Sequence, residues 1–218
     1  MRTHRLLAVG FCLITVLLFA GEKGFERPRT FPAQTYPAHD EDTLAKVAVA
    51  ADPYDLGDKQ AIFPHVNWSH AGFLPVNLII TNDGDRPVSL VTMKVELVTV
   101  RRTRLLPAQP EDIYRRITHM RNVTNEPSRN PLPFPRKQGT KGGLSQEARD
   151  EIESARFLAQ AVEPNASQAG FLYFDVQGIR DPLAGAKLYV SGLRDADGQE
   201  LMFFEIPMEK YLTYQPVR

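Results

Sequence analysis

The sequence predicts a mainly β protein: an antiparallel sandwich of about seven strands, with a helical, partly disordered insertion midway. Three observations carry this reading. Val91, Met93, Val95 and Leu97 alternate with Thr92, Lys94 and Glu96, and a period of two places one set on each face of a strand. Val76–Thr81 is nearly continuous in apolar residues, as a central strand covered on both faces requires. Seventeen prolines and fourteen glycines among 218 residues suit short strands joined by turns better than a helical bundle.

The elements follow in order. Arg2 and Arg5 precede an uncharged run, Leu6–Ala20. As a helix that run is about 22 Å long, short for a bilayer span, so residues 1–20 read as a secretory signal peptide or an N-terminal anchor. Residues 21–43 mix prolines with charges and read as a flexible linker. Residues 44–51, LAKVAVAA, form the first expected strand, and 58–63 a helical turn before Pro64. The central strand, 76–81, leads through the acidic turn Asn82-Asp83-Gly84-Asp85 into a long strand over 88–100, which ends in a basic rim at 101–104. Pro110 suits a first helical position, and Glu111 and Asp112 suit the positive end of the helix dipole, which predicts a helix to about Thr118.

Residues 121–143 hold four prolines, three glycines and five basic residues against one acidic residue. Such a segment buries too little apolar surface to offset its ordering entropy and is expected to be mobile. Ser145 is positioned to cap a helix to about Arg156, with Ala148, Ile152, Ala155 and Ala159 as its apolar stripe. Strands are expected at 161–162, 171–176, 187–193 and 201–206. The last two flank Arg194-Asp195-Ala196-Asp197-Gly198, a hairpin signal, and Met202, Phe204 and Ile206 are expected to face inward. The sandwich domain then spans 44–212, with its insertion at 107–156 and a tail at 213–218. Strand count and short turns favour the immunoglobulin-like type.

The segments AVAADPYD, GFLPVNLIITNDGDRPVSL, GFLYFDV and AKLYVSGLRDADGQELMFFEIPMEKYL resemble a group of exported bacterial proteins of unknown function. The resemblance covers roughly 44–106 and 157–212 and implies an immunoglobulin-like β-sandwich. It rests on turn and core patterns and brings no catalytic residue.

Charge and cysteine content narrow the function classes. Without Arg2 and Arg5, 24 basic residues face 26 acidic ones, which argues against general nucleic-acid binding. Cys12, the one cysteine, lies inside the targeting run, so the exported part has no disulfide. No cofactor is expected. Asp83 and Asp85 in one turn, and Asp195 and Asp197 in another, are weak calcium candidates, because each turn supplies too few oxygens unless the two converge. His39, His65 and His70 with Asp52, Asp55 or Asp58 would suit a hydrolase only if gathered in one pocket. An exposed Trp68 would suit contact with a sugar or peptide. The basic segment offers Arg121, Arg129, Arg136, Lys137 and Lys141 to an envelope protein or an anionic surface polymer. Membrane contact is expected only through residues 6–20, if they are retained. The expectation is a non-catalytic binding or scaffolding module of the cell envelope. Its alternatives are a subunit that pairs through a sheet edge and, behind it, a hydrolase.

Overall fold

The computed structural model describes residues 24–124 and 143–213. It has strands β1 (His39–Asp42), β2 (Val47–Pro53), β3 (Phe73–Asn82), β4 (Val88–Ser89), β5 (Lys94–Val98), β6 (Arg104–Leu105), β7 (Ala161–Val162), β8 (Ala166–Asp175), β9 (Lys187–Ser191) and β10 (Phe204–Pro207). The helices are α1 (Gly57–Gln60), α2 (Trp68–Ala71), α3 (Pro110–Thr124), α4 (Gln146–Ala155) and α5 (Glu209–Leu212). The strands pair antiparallel into two open four-stranded sheets, β1-β2-β3-β8 and β10-β9-β5-β6, and a small β4-β7 pair.

Strand β3 organises the rest. All ten of its residues are buried, because both its faces are almost entirely apolar. Val76, Leu78 and Ile80 meet Val95, Leu97, Leu188, Val190, Phe204 and Ile206 of the second sheet in one core. Phe73 faces the other way, into a second core with Trp68, Ile113, Ile152, Phe171 and Tyr173. Ile79 packs on that same side with Ala33, Ala48 and Ala50. The first sheet is therefore a middle layer. The second sheet covers one face, and α2, α3, α4 and the segment around Ala33 cover the other.

Pro75 stands inside this central strand, where a proline normally breaks the ladder. It is tolerated because β2 ends beside it. The Pro75 carbonyl still accepts from the Tyr54 N–H at 2.9 Å. The Tyr54 carbonyl, which a non-proline at 75 would have bonded, accepts instead from the Gln60 side-chain amide at 2.7 Å. The hydrogen bond that proline removes is replaced by α1.

Several expectations are corrected. Among the described residues there are ten strands where about seven are expected, three of them only two residues long. Residues 24–43, expected as part of a flexible linker, are packed: Ala33 and Ala38 are fully buried, β1 pairs with β2, and Phe25 stacks on Phe63. The expected strand over 88–100 divides between two sheets. Val88 and Leu90 are buried, Val91 is exposed, and burial resumes at Val95 and Leu97 in the opposite phase. The turn at 90–93 switches the chain from β7 to β9, held by Thr92 Oγ1 donating to the Gly192 carbonyl at 2.6 Å. Met202 faces solvent, whereas Phe204 and Ile206 face inward as expected. Helix α4 is capped by Ser145, whose hydroxyl accepts from the Ala148 N–H, and it buries Ala148, Ile152 and Ala155; Ala159 lies beyond its end. The expected signal segment, the tail beyond Thr213 and most of the basic segment lie outside the described residues.

The outer edge of β8 is covered by crossing chain. The Ala108 N–H donates to the Tyr173 carbonyl at 2.7 Å and the Phe157 N–H to the Phe171 carbonyl at 3.1 Å. Gly170 makes the second crossing possible, since a Cβ there would lie 2.4 Å from Phe157 Cα. Gly170→Ala is expected to cost about 2–3 kcal/mol in urea unfolding, from backbone overlap. Gly198→Ala, where φ is +81° but the space is open, is expected to cost about 1 kcal/mol.

Candidate functional site

The second sheet keeps one face free. In β5 and β9 the residues Val95, Leu97, Leu188 and Val190 point into the core, so Lys94, Glu96, Val98, Tyr189 and Ser191 form the outer face. The register sets Glu96 opposite Tyr189 and Lys94 opposite Ser191. Residues 200–203 rise along one side of this floor, and Arg102 and Arg104 along the other. Together they enclose a half-open groove of about 820 Å³. Met202 and Phe203 are 58% and 57% exposed at its rim, an adjacent pair of large apolar side chains held in solvent. Arg102 is fixed at a left-handed φ of 61° by a tight turn in which its N–H donates to the Thr99 carbonyl.

The groove's charges are unequally committed. Arg104 pairs with Glu96 at 3.5 Å, and Arg194 pairs with Glu200 at 3.7 Å. Lys94 and Arg102 make no ion pair among the described residues. Two free cations beside a thioether and a phenyl ring suit an anionic ligand with an apolar part. The outer polar set of β5 and the basic rim after it were visible in the sequence. The exposure of Met202 was not, because the run LMFFEI alternates well enough to suggest burial.

The two acidic turns do converge, but around a protein cation. Gly84, Asp85 and Arg86 line one small cavity with Asp195 and Ala196. Arg86 spans it, pairing bidentately with Asp197 at 2.7 Å for both bonds. That hydrogen bonding holds the Asp197 carboxyl below its ordinary pKa. Asp195 accepts from the backbone N–H groups of Asp197 and Gln199, and Asp83 accepts from the Gln34 amide. Asn82 closes its own turn, bonding to the Arg86 carbonyl and the Gly84 N–H. Of the weak calcium candidates, Asp83, Asp195 and Asp197 thus bond to protein groups that shape the corner. No group of three or more His, Cys, Asp or Glu among the described residues is arranged to hold a metal ion.

Trp68 is not a surface contact. It is fully buried and stacks on Tyr173 at 4.2 Å, because α2 lays it against β8. Arg121 lies on α3, and Arg129, Arg136, Lys137 and Lys141 fall outside the described residues. Asp52 takes Lys59 at 2.6 Å, and Asp55 accepts from Tyr211 at 2.7 Å. The Lys59 ammonium also lies between the Tyr54 and Tyr211 rings, 4.6 and 4.7 Å from their centroids, so α5 is clamped over the end of β2. His39 bonds to the Tyr36 carbonyl on β1, His70 is exposed on α2, and the His65 N–H donates to Glu151. A second cavity of about 830 Å³ beside α3 is lined by Arg116, which is already engaged with Asp175 at 2.7 Å and over the Phe73 ring. No helix among the described residues is long and apolar enough to cross a membrane.

No family model matches the chain, and no curated protein matches it. One solved structure with similarity is a conserved hypothetical protein from Bacillus anthracis, 11% identical, with 74% of this chain and 87% of that chain covered and a TM-score of 0.31.

Two outcomes follow from this geometry. Because Arg86 already occupies the Asp197 carboxylate, and Asp83 and Asp195 accept from protein N–H groups, about 5 mM calcium is expected to leave the melting temperature within about 1 °C by calorimetry. Burial is the main cause that raises the Glu151 carboxyl above its ordinary value. The folded state then holds the proton more tightly than the unfolded chain. The stability it contributes is present below the ordinary carboxylate range and is lost as pH rises through the raised value. Wild type is therefore expected to lose stability relative to Glu151→Gln as pH rises above the ordinary carboxylate range, read from denaturation at each pH.

Proposed function

We propose that the protein is an exported, non-catalytic binding module of the cell envelope, and that it takes its partner in the groove on the outer face of β5 and β9. The observation that carries this reading is the pairing of exposed Met202 and Phe203 with the uncommitted cations Lys94 and Arg102 over one concave floor. Exposed apolar residues grouped beside arginine are characteristic of contact surfaces, whereas singly scattered ones need no explanation. The partner is an envelope component with anionic and apolar groups, met by a rigid sheet instead of a loop. Export rests on Arg2, Arg5 and the uncharged run Leu6–Ala20.

The proposed frame is an immunoglobulin-like sandwich. The neighbour order β2-β3-β8 in one sheet and β10-β9-β5-β6 in the other supports it, because it follows the A-B-E and G-F-C-C′ arrangement. In this reading the α3–α4 insertion stands between C′ and E, and β1 extends the first sheet.

Photo-crosslinking in intact cells tests the binding site. A crosslinker at Met202 or Tyr189 is expected to give a discrete adduct that Lys94→Glu with Arg102→Glu abolishes. The same group at Leu44, which is 95% exposed between β1 and β2, is expected to give none. Identical products from Leu44 and Met202, or an adduct indifferent to the charge reversal, would contradict the groove.

A further inference from the structure

Three polar atoms in the core beneath the helices have no hydrogen-bond partner among the described residues: Trp68 Nε1, Glu151 Oε1 and the Tyr173 hydroxyl. Trp68 is 0%, Glu151 2% and Tyr173 2% exposed. Buried polar groups without partners are rare in native proteins, because each costs its full desolvation penalty. Three in one region ask for a common explanation.

Their placement supplies one. The Trp68 and Tyr173 rings stack at 4.2 Å with an interplanar angle of 16°. Glu151 is tied to the same neighbourhood through its other oxygen, which accepts from the His65 N–H at 2.9 Å, three residues before Trp68. The Glu151 carboxylate is also the charge that most raises the Tyr173 hydroxyl, after burial itself. One atom comes from α2, one from α4 and one from β8, and Trp68, Ile152 and Tyr173 of these elements share one buried core.

We propose that Trp68 Nε1, Glu151 Oε1 and the Tyr173 hydroxyl form an internal site for one ordered water molecule. The donor and acceptor chemistry selects that ligand. The indole N–H only donates, an ionised carboxylate oxygen only accepts, and the phenol does either. The bound species must accept from the indole and donate to the carboxylate at once. A bare cation accepts nothing from the indole, and an anion is repelled by the carboxylate. Water does both and completes the three hydrogen bonds usual for a buried molecule. It would bridge α2 and α4 to the middle sheet and relieve all three unpaired atoms.

The chain has one tryptophan, so its indole signal is unambiguous. In NMR of the purified full chain, the Trp68 Nε1–H is expected to show a cross-peak to a long-lived water. Water relaxation dispersion is expected to lose one long-lived molecule per chain in Tyr173→Phe with Glu151→Leu. Glu151→Gln, which keeps an accepting oxygen, is expected to retain it. No indole–water cross-peak in wild type would overturn the proposal even if the double variant failed to fold. A folded double variant with undiminished dispersion would overturn it as well.

Discussion

The burial of β3 on both faces is the constraint on which the rest depends. A strand whose ten residues are all buried needs a layer above and a layer below. The second sheet supplies one layer through Leu97, Leu188 and Phe204. The helices supply the other through Ile113, Ile152 and Trp68. The neighbouring strands obey the same rule. Val47, Val49 and Ala51 of β2 face the core shared with the second sheet, while Ala48 and Ala50 face the opposite side and pack with Ala33 and Ile79. The role of the α3–α4 insertion is therefore structural first. Its helices roof a face that would otherwise present aromatic residues to water.

This layering decides which sheet face stays open. The middle sheet spends both faces on core, and crossing segments cover the β8 edge. The outer face of the second sheet remains, and the groove forms there. Its floor is stiff because Val95, Leu97, Leu188 and Val190 are anchored directly beneath it. The acidic corner, Asp83 to Arg86, serves the same stiffness. Arg86 ties it to Asp197, and the Asp197 loop runs directly into the groove wall at 200–203. Such exposed pairs add little to stability, yet this one fixes where two turns lie relative to each other.

Much of this order was legible in the sequence, and the failures have physical causes. The nearly continuous apolar run of Val76–Thr81 announced a covered strand, and Ser145 announced its helix. The split of 88–100 was also written there. Val88 and Leu90 hold one phase and Val95 and Leu97 the other, a shift no single regular strand allows. Residues 24–43 misled because their anchors are small: Ala33 and Ala38 bury completely without an apolar run to mark them. Trp68 was a contact candidate only if exposed, and its burial agrees with the packed alternative; a tryptophan among polar neighbours reads the same whether it is inside or outside. The convergence of Arg86 with Asp197 is a contact across 111 positions, which local pattern does not encode. The groove was half legible, in its basic rim and polar strand face, and its apolar wall was not.

Hydroxyl-radical footprinting of the folded chain tests the layered account most directly, because it reports side-chain exposure residue by residue. Rapid oxidation of Met202 and Phe203 is expected on the open face. Trp68, Phe171 and Tyr173 are expected to stay protected until the whole domain unfolds. Oxidation of Trp68 or Tyr173 at a rate comparable to Phe203 under native conditions would contradict it, since the middle sheet would then lack its second cover.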